Sequence, residues 1–278
     1  MKIAISIDSA CDLPKEIIEK NHIFVKPFFV QLGDKELVDD GLKSEDLFSF
    51  VKQSGSLPKT AAPSIESFKE YFEDILKFYD AVIHITISKE MSSANSNATL
   101  ASAEMENVFV VDSKSLSSGI ALVVLSCLKK VEQGKQPKQI VEELEKETSR
   151  VQASFLIDTL KYLYKGGRCS SLAMISAKLL MIKPKILVSN GKMGVSKKYM
   201  GGLKGCLLKY VEDTLKQNNP DKTVAFCTHS TPMEISGQIC ARLKEFGFEQ
   251  VYDCLASSTI STHCGPNTLG ILFMNKED

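Results

Sequence analysis

Residues 81–98 read AVIHITISKEMSSANSNA. The first eight form a short apolar run rich in β-branched residues, the signature of a core strand. The run then breaks into hydroxyls, at Ser88, Ser92 and Ser93, before small residues suited to a helix. Strand, hydroxyl-rich junction and helix in that order make one unit of an α/β fold, and similar units recur on either side. KIAISID (2–8) reads as a buried first strand leading into DSACDLP, and VFVVDS (108–113) as a third core strand. KTAAPS (59–64) precedes the helical run FKEYFEDILKF. Short β-rich runs alternating with amphipathic helices predict a mainly parallel sheet.

Further out, IFVKPFFVQL and KELVDD suggest a strand and an edge hairpin, and SEDLFSFVKQ suggests a helix capped by Ser44. Residues 116–149 read as two helices, one ended by Gly134 and the next opened by Pro137. The rhythm changes after ASFLIDTLKYLYKGGR (153–168), where Asn190-Gly191 between β-prone runs is a hairpin signal, and a second domain is expected to begin near residue 155. Strands KTVAFCTH and EQVYDCLA flank a helix over 232–246, and LGILFM starts a last strand. Two domains are expected, an N-terminal α/β domain over 1–155 and a smaller mixed α/β domain over 156–278, with a site at their junction.

Composition narrows the function. Of 278 residues, 44% are hydrophobic, so a full core can form, and 34 basic residues balance 34 acidic ones, which disfavours a nucleic acid partner. The eight cysteines are scattered without a C-x-x-C pair or a zinc-type spacing with histidine, and read as reduced thiols. No stretch approaches the roughly 20 apolar residues of a membrane span, and the N-terminus lacks signal-peptide features. The expected location is the cytoplasm.

Open α/β sheets bind ligands beyond the carboxyl ends of their strands. The three hydroxyl-bearing junctions, with Asp8, Ser9 and Asp12, then Thr60 and Ser64, then Ser88, Ser92 and Ser93, are therefore candidate sites. Hydroxyls at a helix N-terminus suit an anion, although each also serves as an ordinary cap. DSACD lacks the second carboxylate of an aspartyl-phosphate motif, and there is no nucleophile elbow, phosphate loop or dinucleotide fingerprint. Among the histidines, His84 reads as a packed strand residue and His22 is uninformative. His229 suits a turn, and His263, set between hydroxyls and a Gly-Pro turn, has the context of a site. Arg168 follows the two glycines of LKYLYKGGRCS, in a turn from which it could meet an acidic partner. LAMISAKLLMI (172–182) is apolar enough to line a tunnel, or simply to pack in a core.

Taken in order, DSACDLP, KTAAPS, ISKEMSSANSNA, VVDSKSLSSGIA, LKYLYKGGRCS, KPKILVSNGKMG and THCGPNTLGILF resemble the DegV family of bacterial fatty-acid-binding proteins across essentially the whole chain. The resemblance implies a DegV-like two-domain fold enclosing one long-chain fatty acid, and an acyl-binding subunit that works with a separate fatty acid kinase catalytic subunit. It implies no cofactor and no catalytic residue of its own. Thr60 then corresponds to the family threonine on the ligand carboxylate, Ser92 to the serine of its Leu-Ser-Gly-Thr loop, and His263 to the head-group histidine of its His-x-Gly-Pro motif. Arg168 corresponds to the residue implicated in docking the kinase. Ala61-Ala62, Ser93 and Asn267 depart from the family pattern: side chains replace glycine at 93 and 267, and Ser93 brings one more hydroxyl to the carboxylate. Two other functions remain compatible with the residues, a small carbonyl substrate held by His263 and a lipid chaperone without a kinase.

Overall fold

A computed structural model describes residues 1–169 and 182–277. Its first half runs β1 (Ile3–Asp8), α1 (Lys15–Lys20), β2 (Phe24–Lys26), β3 (Phe29–Leu32), β4 (Lys35–Val38) and α2 (Ser44–Ser54). It continues through β5 (Lys59–Ala61), α3 (Ile65–Leu76), β6 (Ala81–Thr86), α4 (Ala94–Ala101), β7 (Val108–Asp112), α5 (Ser118–Glu132) and α6 (Pro137–Glu147). The second half contains β8 (Val151–Leu156), α7 (Lys161–Gly166), β9 (Ile182–Ser189), β10 (Lys192–Met200) and α8 (Leu203–Gln217). It closes with β11 (Pro220–His229), α9 (Ile235–Phe246), β12 (Gln250–Leu255), α10 (Ser258–Cys264) and β13 (Leu269–Asn275).

Among the described residues, the strands form three sheets. β2-β1-β6-β7 is wholly parallel, β4-β3-β5 is a small antiparallel sheet, and β10-β9-β8-β13-β11-β12 is mixed. This is the expected α/β class, a parallel sheet flanked by helices followed by a mixed sheet. β8 spans the expected start of the second domain near residue 155, and it pairs within the six-stranded sheet, between β13 and β9.

Burial explains why β6 is a continuous apolar run: all six residues are inaccessible. α3 packs against β6 and α4 against β7, while α5 packs against β1 and β6. α5 is also in contact with β8, β11 and β13, so it lies between the parallel and the six-stranded sheets. A helix covered on both sides must be apolar around most of its circumference. Residues 118–124, SGIALVV, are indeed all buried. One apolar core therefore runs from Ile5 and Ile85 through Ile120 and Val123 to Ala153 and Leu272.

Local chemistry sets the boundaries. Ser64 caps α3, accepting from the Ser67 amide at 3.1 Å. Pro137 occupies the first turn of α6, and Gly134 takes φ 73° after α5. Asn190 and Gly191, at φ 49° and 79°, make the turn between β9 and β10 with the two positive φ values of a type I′ hairpin. Ser44 differs from expectation: it is the first residue of α2, and the cap position is Lys43, with no side-chain capping bond. Among the described residues, no helix is long and apolar enough to cross a membrane.

Candidate functional site

Three separate connections converge on one cavity. β3 pairs with β5 and sets Thr60 opposite Val30. The β6–α4 connection brings Met91, Ser92 and Ser93, and α10, packed against β3, β5 and α7, brings His263. The β9–β10 turn closes the side: the Ser88 hydroxyl donates to the Gly191 carbonyl at 2.8 Å, and Lys192 pairs with Glu90 at 3.2 Å. Gly191 is needed here, because a Cβ would lie 2.5 Å from the Ser88 oxygen.

The cavity is about 310 Å³. Its apolar wall includes Phe28, Ala62, Ile87, Leu116, Met193 and Ile260, and its polar end holds Thr60, Ser92, Ser93, Arg168 and His263. All five site residues expected from the sequence thus line one cavity, Arg168 among them. Asp8, Ser9 and Asp12 of the first junction do not line it. Of the apolar stretch 172–182, all but Ile182 lies outside the described residues.

Thr60 Oγ1 and His263 Nε2 lie 2.8 Å apart. Among the described residues, buried His263 Nδ1 has no hydrogen-bond partner. Gly166 stands against that nitrogen so closely that a Cβ there would be 2.7 Å from it. Burial, followed by the nearby Arg168 charge, pushes the His263 imidazole down to about 4, so the ring is neutral near neutral pH. An orphaned lone pair costs less than an orphaned N–H, which favours the tautomer in which Nε2–H donates to Thr60. The Thr60 hydroxyl proton is then free for a ligand.

Ser92 Oγ accepts from the Ala94 amide at 3.2 Å, which leaves its proton available, and Ser93 occupies the cap position of α4 without a side-chain capping bond. Both hydroxyls therefore stand where unpaired amides and the helix dipole favour negative charge. Arg168 is exposed and donates through Nη1 to the Gly166 carbonyl at 2.6 Å. Thr60, Arg168 and His263 also bound a second cavity of about 320 Å³, whose rim carries Lys59 and Lys165. Asn267 adopts φ 58°, a left-handed conformation that asparagine tolerates better than most residues.

The first junction, expected as a candidate site, instead supplies carboxylates to a hydrogen-bond network beside the cavity. Asp8 accepts from the amides of Ile87 and Ala10, at 2.7 and 3.1 Å. Asp39 accepts from the Thr259 amide at 3.0 Å and the Ser9 hydroxyl at 2.8 Å. Asp12 accepts from the Ser257 amide at 2.8 Å and from the Ser117 hydroxyl. Ile87 and Thr259 line the cavity, so Asp8 and Asp39 hold two of its wall residues through their amides. Desolvation pushes Asp8 and Asp12 up to about 7, against their backbone and side-chain donors, and raises Asp39. Neither His84 nor His229 lines this cavity. His84 is fully buried beside Ser6 at 2.8 Å and lowered to about 3 by burial, while His229 bridges the Thr231 carbonyl and Asp253.

The family described as "Uncharacterised protein, DegV family" matches residues 2–276. The chain belongs to the DegV family. It is 28% identical over 281 residues to a fatty acid-binding protein of Thermotoga maritima, covering 97% of this chain and 96% of that one. The structure of Bacillus subtilis DegV, described as a fatty acid binding protein, superposes with a TM-score of 0.85 at 27% identity, over 99% of this chain and all of the other. A DegV family protein of Thermus thermophilus shares the fold with a TM-score of 0.89 at 24% identity, over 99% and 100% of the two chains.

Proposed function

We propose that this DegV family chain binds one long-chain fatty acid, the alkyl tail in the apolar cavity and the carboxylate at Thr60, Ser92, Ser93 and His263. In this reading it presents the carboxylate to a separate fatty acid kinase subunit. The observation that carries the reading is the Thr60–His263 pair, a neutral donor set at the polar end of an apolar cavity.

Burying about fourteen methylenes at roughly 0.8 kcal/mol each gives on the order of 11 kcal/mol before association costs, so the tail dominates retention. The carboxylate cannot enter unpaired. His263 Nε2–H orients the Thr60 oxygen, Thr60 O–H donates to the carboxylate, and the serine hydroxyls supply further donors. Such a set leaves a carboxylate oxygen nucleophilic. That oxygen attacks the terminal phosphorus of ATP held by the kinase, the bond to ADP breaks, and an acyl phosphate forms. The phosphoryl group would arrive from the second cavity, where Lys59, Lys165 and Arg168 offer positive charge. This role requires no cofactor in the chain itself, and it places the protein in the cytoplasm, beside its ATP-using partner.

A covalent bond between His263 and a small carbonyl fits less well: Nε2 is engaged by Thr60, and Nδ1 faces Gly166. Loading the delipidated chain with labelled fatty acid and adding a competent kinase tests the reading. His263→Ala is expected to keep the lipid and lose acyl-phosphate formation. Undiminished turnover would reject the head-group assignment.

A further inference from the structure

The six-stranded sheet carries another cluster of reactive side chains on the face covered by α9. β11 and β12 run in parallel register with Cys227 opposite Asp253, and α9 brings Cys240 over the pair. The two Sγ atoms and a carboxylate oxygen of Asp253 all lie within 4.8 Å of one another. None of the three lines the fatty acid cavity. We propose that Cys227, Cys240 and Asp253 form a binding site for a thiophilic divalent cation of the zinc class, with a fourth position open to water.

Zinc bonds thiolate sulfur at about 2.3 Å and carboxylate oxygen at about 2.0–2.2 Å, so neighbouring ligands of a tetrahedral ion stand roughly 3.5–3.8 Å apart. Small side-chain rotations would bring the three donors to that spacing. The carboxylate is already oriented. His229 Nε2 lies 2.9 Å from Oδ1, and the Ser236 hydroxyl donates to Oδ2 at 2.8 Å. His229 is itself fixed by its Nδ1, 2.8 Å from the Thr231 carbonyl. Outer partners of this kind commonly hold metal ligands in place. Access is graded, with Cys227 buried, Cys240 partly covered and the Asp253 side chain 41% exposed, so an ion can enter from the Asp253 side. The ligands come from two strands and a helix, which explains why no zinc-type spacing exists in the sequence.

The test is titration of the full-length chain with Co²⁺ under a non-thiol reductant, which keeps Cys227 and Cys240 from pairing as a disulfide. Thiolate-to-cobalt charge transfer and tetrahedral d–d absorption should saturate at one ion per chain and bleach on adding an equivalent of Zn²⁺. Asp253→Asn and Cys240→Ser should each weaken binding at least about tenfold, and Ser236→Ala about tenfold through loss of carboxylate orientation. Cys206→Ser, on α8, should match the wild type. No charge-transfer band, or bands of equal strength in Cys240→Ser and Asp253→Asn, would overturn the proposal. If either variant fails to fold, the wild-type melting temperature decides: a rise with Zn²⁺ but not Mg²⁺ supports the site, and no rise overturns it.

Discussion

Thr60 and His263 are 203 positions apart in the chain, yet their side chains meet at 2.8 Å. Neither residue alone defines an anion site: a strand threonine and a half-buried neutral histidine are both commonplace. Paired, they give a hydroxyl whose oxygen is fixed and whose proton is free. Thr60→Val should therefore leave the fold and lipid retention largely intact while reducing kinase-dependent phosphorylation about tenfold or more, the scale of one hydrogen bond to a charged group. Retained lipid measured against acyl phosphate formed separates the two effects. Gly166→Ala tests the positioning directly. Its Cβ would press on His263 Nδ1 at 2.7 Å, so turnover should fall although no ligand contact is removed. The residue identities at this site were legible through family motifs, but the role of Gly166 was not, because a helix-ending glycine looks the same whatever stands beside it.

α10 is the element on which the site turns. Only seven residues long, it contacts α2, β3, β5 and α7, and it is anchored at its start by Asp12 and Asp39 through the Ser257 and Thr259 amides. Asp8 and Asp12 stand near 7, raised by burial from an ordinary 3.8. A folded-state value above the unfolded one gives a contribution that is full below the unfolded value and is lost as pH rises through about 7. Melting temperature should accordingly be higher near about pH 5 than near about pH 8, and Asp12→Asn should flatten that dependence. Thermal scans across this range check both. The helix holding His263 was not read from the sequence, since STHC carries too little apolar periodicity to mark a short helix. The aspartates were visible in DSACD and KELVDD, but their partnership with α10 depends on tertiary contacts that no local pattern encodes.

Across the whole molecule, α5 joins two sheets into one core, and the Asn190-Gly191 turn reaches back to Ser88 beside the cavity. The core strands β1, β6 and β7 were readable because buried strands are short apolar runs, but IFVKPFFVQL, read as one strand, divides into β2 and β3 in different sheets, and β5 and β8 were not read as strands. The sandwiching of α5 was not readable either, since an apolar helix does not reveal what covers each face. The cavity belongs to this scale because its lining comes from both halves of the chain. Ala62→Phe should fill part of it and lower the capacity for long acids more than for short ones, with little change in melting temperature, as competition binding across chain lengths would show. The most direct test of the central claim is native mass spectrometry of the delipidated chain titrated with a long-chain fatty acid. The account predicts a single bound acid per chain at saturation; no retained acid at any chain length would contradict it.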